Sequence, residues 1–190
     1  MRRLKGLLKF TNVTMKRGYT TLATGLNVEI GPGETLHVAG PNGSGKSSLL
    51  RLAAGLLRLE AGTAERPGPA PADDHLPLDR ELALKDALKF WGGDIGPAIE
   101  AIGIGHLAEV PVRLLSSGQA KRATLARVAA ANAPLWLLDE PLNALDPDGV
   151  DRLSGMIVAH LAEGGAVVAA SHQPLPGEWR RLELGQRGPA

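Results

Sequence analysis

The sequence predicts an α/β fold, a mostly parallel sheet with helices on both faces, and three observations carry that prediction. Short apolar runs at residues 35–39, 135–138 and 166–170 have the length and composition of strands buried on both faces. Helical patterns at residues 47–57 and 149–162 sit between them in the chain, the alternation expected of parallel sheets. Glycine-rich turns join the two kinds of element, at residues 40–45 and at Gly164-Gly165. A chain of 190 residues is long enough to bury a real core within one domain.

Taken in order, residues 7–14 alternate well enough for a strand, and residues 26–30 form another, closed by the turn Gly31-Pro32-Gly33-Glu34. Residues 35–39 run as a buried strand straight into a glycine-rich loop. The helix expected over 47–57 gains its apolar face from Leu49, Leu50, Leu52, Ala53 and Leu56. Residues 61–74 are rich in Gly, Pro and Ala and carry no convincing strand. Helical stretches follow at 82–91, 95–102 and 113–132, broken by Gly and Pro, before the strand at 135–138. This places one domain over 1–190, with a core of about 1–74 and 133–190 and an inserted helical subdomain of about 75–132.

Composition narrows the function classes. A formal net charge of +1 gives no electrostatic footprint for a dedicated nucleic-acid binder, so no nucleic-acid partner is expected. The absence of cysteine removes disulfides and thiolate metal sites. No apolar run approaches the roughly 18–20 residues that span a bilayer. Lys5 and Lys9 interrupt the basic start before any signal-peptide core develops, so a membrane role would come through a partner.

Two motifs carry chemistry. Gly40-Pro41-Asn42-Gly43-Ser44-Gly45-Lys46-Ser47, followed by Ser48, leaves a strand and opens a helix, the setting of a phosphate-binding loop. Its glycines let backbone N–H groups turn inward around a phosphate, and the helix N-terminus adds partial positive charge. Lys46 is expected to reach the β- and γ-phosphates of a nucleoside triphosphate, and the Ser47 hydroxyl to ligate Mg²⁺. The strand at 135–138 ends in Asp139-Glu140, at the edge where open α/β sheets bind ligands. Asp139 is placed to hold Mg²⁺ and Glu140 to act as general base on the attacking water. Alone, the pair would read as a solvated helix cap.

Between these motifs stands Leu115-Ser116-Ser117-Gly118-Gln119, which by itself is a serine-capped helix start. In this order the motifs resemble those of the ATP-binding-cassette (ABC) ATPases, and the likeness spans nearly the whole chain. It implies a P-loop NTPase fold of ABC ATPase type, with a small N-terminal antiparallel β part and an inserted helical subdomain. It also implies ATP with Mg²⁺, and a second copy of the chain, whose bound γ-phosphate Ser116 and Gly118, with Gln119 beside them, would approach. Asn143-Ala144-Leu145-Asp146 matches the family's interface loop, and His172 its switch histidine, which contacts the γ-phosphate. Within the family, the small size, the runs 40–51 and 133–141 and the tail 164–173 resemble the ATPases of cytochrome c maturation, or haem exporter ATP-binding subunits. That likeness implies an integral membrane subunit of that system as partner. It further implies haem export or haem-chaperone handling as the process, and the cytoplasmic face of the bacterial inner membrane as the location.

The chain departs from the family pattern in three places. Ser117 replaces the usual Gly or Ala, and no Gln stands between Ser48 and Ala101, where the family couples its metal site to the transporter. His75 falls near that position, as a weaker polar contact or a solvated loop residue. The adenine-stacking aromatic is expected at Tyr19, with the Arg17 guanidinium as the other candidate. Competing functions are a soluble cassette acting in translation or on DNA, the ATPase of another small-substrate transporter, and a cassette that binds without hydrolysing.

Overall fold

The computed structural model describes residues 6–66 and 78–185. Two sheets organise them. β1 (Leu8–Arg17), β2 (Thr20–Ile30) and β4 (Ala61–Glu65) form an antiparallel sheet in the order β2-β1-β4. β3 (Thr35–Ala39), β5 (Leu135–Asp139), β6 (Ala166–Ala170) and β7 (Arg180–Glu183) form a parallel sheet in the order β5-β6-β3-β7. The helices are α1 (Lys46–Ala53), α2 (Leu84–Lys89), α3 (Ile95–Ala101), α4 (Ser117–Ala130) and α5 (Pro147–Ala162). None of them is long and apolar enough to cross a membrane.

The period-2 alternation of the central strands explains the layering, because successive side chains enter different cores. Leu135 and Leu137 of β5, with Ala166, Val168 and Ala170 of β6, join the core made by α1 and the antiparallel sheet, around Phe10, Met15 and Ile30. Trp136 and Leu138, with Val167 and Ala169, enter the opposite core, shared with α2, α3, α4 and α5. Strands buried on both faces cannot show polar alternation, which is why they read as continuous apolar runs.

Several elements differ from the expected ones. Residues 61–65 do form a strand, at the edge beside β1, although Ala, Gly, Thr and Glu lack the β-branched pattern that signals one. Gly62 is required there: at φ +89° a Cβ would lie 2.4 Å from the Asn12 carbonyl oxygen. β2 begins at Thr20 rather than at 26, making a long hairpin arm with β1, and β7 carries only one inward apolar residue, Leu182, too little to predict a strand. α1 stops at Ala53 and α2 spans only Leu84–Lys89. α4 starts at Ser117, because residues Val112–Leu114 form a separate 3₁₀ turn. α5 starts two residues early, with Asp146 as its N-cap accepting from the Gly149 N–H at 3.0 Å and Pro147 in its first turn. His75 lies outside the described residues.

Candidate active site

Because β3, β5 and β6 are parallel and in register, their carboxyl ends meet at one edge of the sheet. Val38 pairs with Ala170, and Asp139 pairs with the same residue from the other side. The loop after β3, the acidic pair after β5 and His172 after β6 are thereby brought together, as the sequence anticipates.

The loop from Gly40 to Gly45 wraps the start of α1. Gly40 must be glycine: at φ +143° a Cβ would lie 2.4 Å from the Leu184 carbonyl oxygen, on the strand end that braces the loop. α1 has no side-chain N-cap and no acidic residue in its first turn, so its free N–H groups remain open to an anion. Lys46 is buried, and its Nζ donates to the carbonyls of Gly40 at 2.8 Å and Pro41 at 3.2 Å, so the ammonium rests within its own loop. Ser47 and Ser48 follow in the first turn, half-buried, while Pro41, Asn42 and Gly43 are exposed on the outer side. The donor set suits a polyphosphate. Among the described residues no cluster of three or more His, Asp or Glu could hold a metal by itself, so Mg²⁺ would need phosphate oxygens in addition to Ser47 and Asp139.

Asp139 closes β5, and its carbonyl accepts from Lys121 Nζ of α4 at 3.2 Å. Glu140 sits at φ +45°, a conformation costly for a residue with a Cβ and anchored by its N–H to the Ala170 carbonyl at 2.8 Å. That turn aims its side chain at β6. Glu140 Oε2 accepts from His172 Nδ1 at 2.9 Å and from the His172 backbone N–H at 3.4 Å. Two residues 32 apart in sequence thus form one pair, whose His172 shares a cavity with Gly40 and Pro41 of the phosphate loop.

The signature segment faces elsewhere. Ser116 caps α4 in a reciprocal box: its Oγ accepts from the Gln119 N–H at 3.3 Å, and Gln119 Oε1 accepts from the Ser116 N–H at 2.9 Å. Gly118 lies under the interface loop, where a Cβ would come 2.8 Å from the Ala144 carbonyl oxygen. Ser116, Gly118, Gln119 and Asp146 line a cavity of about 410 Å³ that includes no residue of the phosphate loop. Gly40, Pro41 and His172 line a different cavity of about 530 Å³, which includes no signature residue. Tyr19 is fully exposed at the β1–β2 turn, and Leu22, three residues on, packs within 3.1 Å of where a Gly45 Cβ would be.

Two further residues that brace the neighbouring segments escaped sequence reasoning. Arg122, buried on α4, donates to Asp146 at 2.5 Å, to Asp148 at 2.9 Å and to the Ile102 carbonyl at 2.8 Å. Burial works against its charge, and the hydrogen bonds to the two carboxylates outweigh it, so its proton is held more tightly than usual. The same guanidinium, with the Gly149 N–H, holds the Asp146 carboxyl below the usual range; Arg152 and then Arg122 do so for Asp148. His37 of β3 is buried, and its Nε2 donates to the Ser171 carbonyl at 3.1 Å, just ahead of His172. Arg122 and His37 stand outside the motifs themselves, so only contact geometry could find them.

The parallel sheet, the phosphate loop and the acidic strand end beside a histidine define an ATP-hydrolysing cassette of the ABC transporter class. The ABC transporter family matches residues 23–86 and 78–143. The cytochrome c biogenesis ATP-binding export protein CcmA of Novosphingobium aromaticivorans is 54% identical, over 87% of this chain and 88% of that protein. Its counterpart in Sphingopyxis alaskensis is 45% identical, over 87% and 90%. A solved ABC transporter ATP-binding protein from Pyrococcus furiosus superposes with a TM-score of 0.80 at 23% identity, covering 93% of this chain and 96% of that one, a likeness of fold. The chain belongs to the CcmA family of ABC transporter ATPases.

Proposed function

We propose that this ATPase drives a step of c-type cytochrome biogenesis, the export of haem or the handling of a haem chaperone, from the cytoplasmic face of the bacterial inner membrane. The relatives' names support the process, and the pairing of Glu140 with His172 at 2.9 Å beside the phosphate loop carries the hydrolytic role. Two copies close head to tail over two ATP molecules, and an integral membrane subunit of the same system receives the motion. The helical part, about residues 75–132, is the moving subdomain on a core of about 1–74 and 133–190. The separation of the two cavities supports this arrangement, since Ser116, Gly118 and Gln119 have no phosphate loop of their own chain to complete.

In the closed pair, Gly40 to Ser48 cradle the phosphates, and Lys46 exchanges its loop carbonyls for β- and γ-oxygens. Ser47 and Asp139 would hold Mg²⁺, which when bound would supply neutralisation of phosphate charge. Glu140 takes a proton from water as its oxygen attacks the γ-phosphorus, the β–γ P–O bond breaks, and ADP leaves with inorganic phosphate. His172 donates to the γ-phosphate, and Tyr19, on the arm whose Leu22 touches the loop, stacks on adenine in preference to Arg17.

The test is co-expression with the membrane subunits of cytochrome c maturation. Co-purification, and ATP turnover abolished in Glu140→Gln with an ATP-bound dimer retained on size exclusion, is the expected result. A Glu140→Gln chain that stays monomeric at saturating ATP overturns the two-copy mechanism. Recovery of a different membrane partner overturns the assignment to cytochrome biogenesis.

A further inference from the structure

Gln173 follows the switch histidine, and its amide nitrogen Nε2 lies 3.3 Å from His172 Nε2. An amide nitrogen only donates, so His172 Nε2 offers a lone pair to it. The other side of the ring is compatible with the same state. Glu140 Oε2, an acceptor, lies 2.9 Å from His172 Nδ1, so that nitrogen carries the hydrogen. The flanking segment is fixed from behind, because His37 Nε2 donates to the Ser171 carbonyl at 3.1 Å and Ser171 Oγ accepts from the Gln173 N–H at 3.0 Å. Ser171 itself is buried, while Gln173 is exposed.

A γ-phosphate oxygen needs a donor, and in this arrangement His172 Nε2 has none to give. We propose that Gln173 is a positioning residue that latches His172 in its Nδ1–H tautomer against Glu140, so that nucleotide must displace the Gln173 amide before Nε2 can take up a proton from solvent and donate it to the γ-phosphate, the ring then being an imidazolium whose Nδ1–H still serves Glu140. The proposal rests on the role given above to His172 at the γ-phosphate. Displacing the latch sets one hydrogen bond against nucleotide binding, which corresponds to about 2–10-fold in affinity.

The experiment uses the full ¹⁵N-labelled chain without nucleotide, with the His172 ring nitrogens assigned by their loss in His172→Gln. In the unaltered chain, long-range ¹H–¹⁵N correlation should show Nδ1 protonated and Nε2 unprotonated. In Gln173→Leu the Nε2 signal should move towards that of a nitrogen accepting from water alone, and the affinity for a non-hydrolysable ATP analogue should rise by about 2–10-fold. In Gln173→Glu, where an acceptor faces Nε2, a proton should appear there. A proton on Nε2 in the unaltered chain, or an Nε2 signal indifferent to both substitutions, overturns the latch. The ring signals are read without nucleotide, so a chain that bound no ATP would overturn the proposed function while the tautomer result stood by itself.

Discussion

Ser116 is asked to do two things, and a pair of substitutions separates them. Its Oγ accepts the Gln119 N–H at 3.3 Å while Gln119 returns a bond to the Ser116 N–H at 2.9 Å, so Ser116→Ala removes half of a capping box. Loss of such a cap costs about 1 kcal/mol, which lowers the melting temperature of a chain of this size by roughly 2–4 °C. If Ser116 also donates to a γ-phosphate across the dimer, a hydrogen bond to a charged group is lost as well, worth about 1.5–3 kcal/mol, or roughly 10–150-fold in turnover. Ser116→Asp keeps an equally good cap but turns a negative charge towards the phosphate. Urea unfolding and steady-state ATP hydrolysis of the two variants read the two roles. Ser116→Ala should lose stability and turnover, and Ser116→Asp turnover alone. Hydrolysis at the unaltered rate in Ser116→Asp would refute the contact across the dimer, and an unchanged urea midpoint in Ser116→Ala would refute the cap.

Gly118→Ala would put a Cβ 2.8 Å from the Ala144 carbonyl oxygen, so the interface loop must shift; overpacking of this kind costs about 1–3 kcal/mol, visible in thermal melts together with reduced turnover. The depressed Asp146 and Asp148 carboxyls contribute stability that is present above the unfolded value of about 4 and lost as pH falls through their lower folded values. Acid titration of unfolding should therefore be shallower in Arg122→Met across that window. His160 stacks on Trp136 with centroids 4.1 Å apart, and burial lowers its pKa. Its unfolded form binds the proton more readily, so stability is full above about pH 6.5 and falls as pH drops towards the folded value. His160→Phe, which keeps the stack, should remove that slope from urea midpoints measured between pH 7.5 and 5.5.

The strands and helices of the parallel core were legible because their signals are local. β3, β5 and β6 are short apolar runs whose burial on both faces leaves no other use for that composition. β4 and β7 were not legible. Each is a solvent-facing edge strand held by one neighbour, and backbone pairing asks little of side-chain type. The early start of α5 is a different case, since Asp146-Pro147 is itself a local cap-and-first-turn signal, and the Gly149 N–H contact bears it out.

The sequence by itself determined which motifs the chain carries: a glycine-rich loop opening a helix, two carboxylates at a strand end, a serine-capped helix and a histidine just after a strand, in an order that resembles one family. Those features reside in residue types at fixed spacing, which a linear chain records. Tertiary structure decided which of them touch. Glu140 meets His172 because β5 and β6 pair in register, and the signature opens on a cavity apart from the phosphate loop, with α4 packed in the core on the opposite face of the sheet from α1. Arg122 binding Asp146 and Asp148, and Gln173 facing the second nitrogen of His172, depend on side-chain directions set by packing, for which no spacing in the chain is a signal.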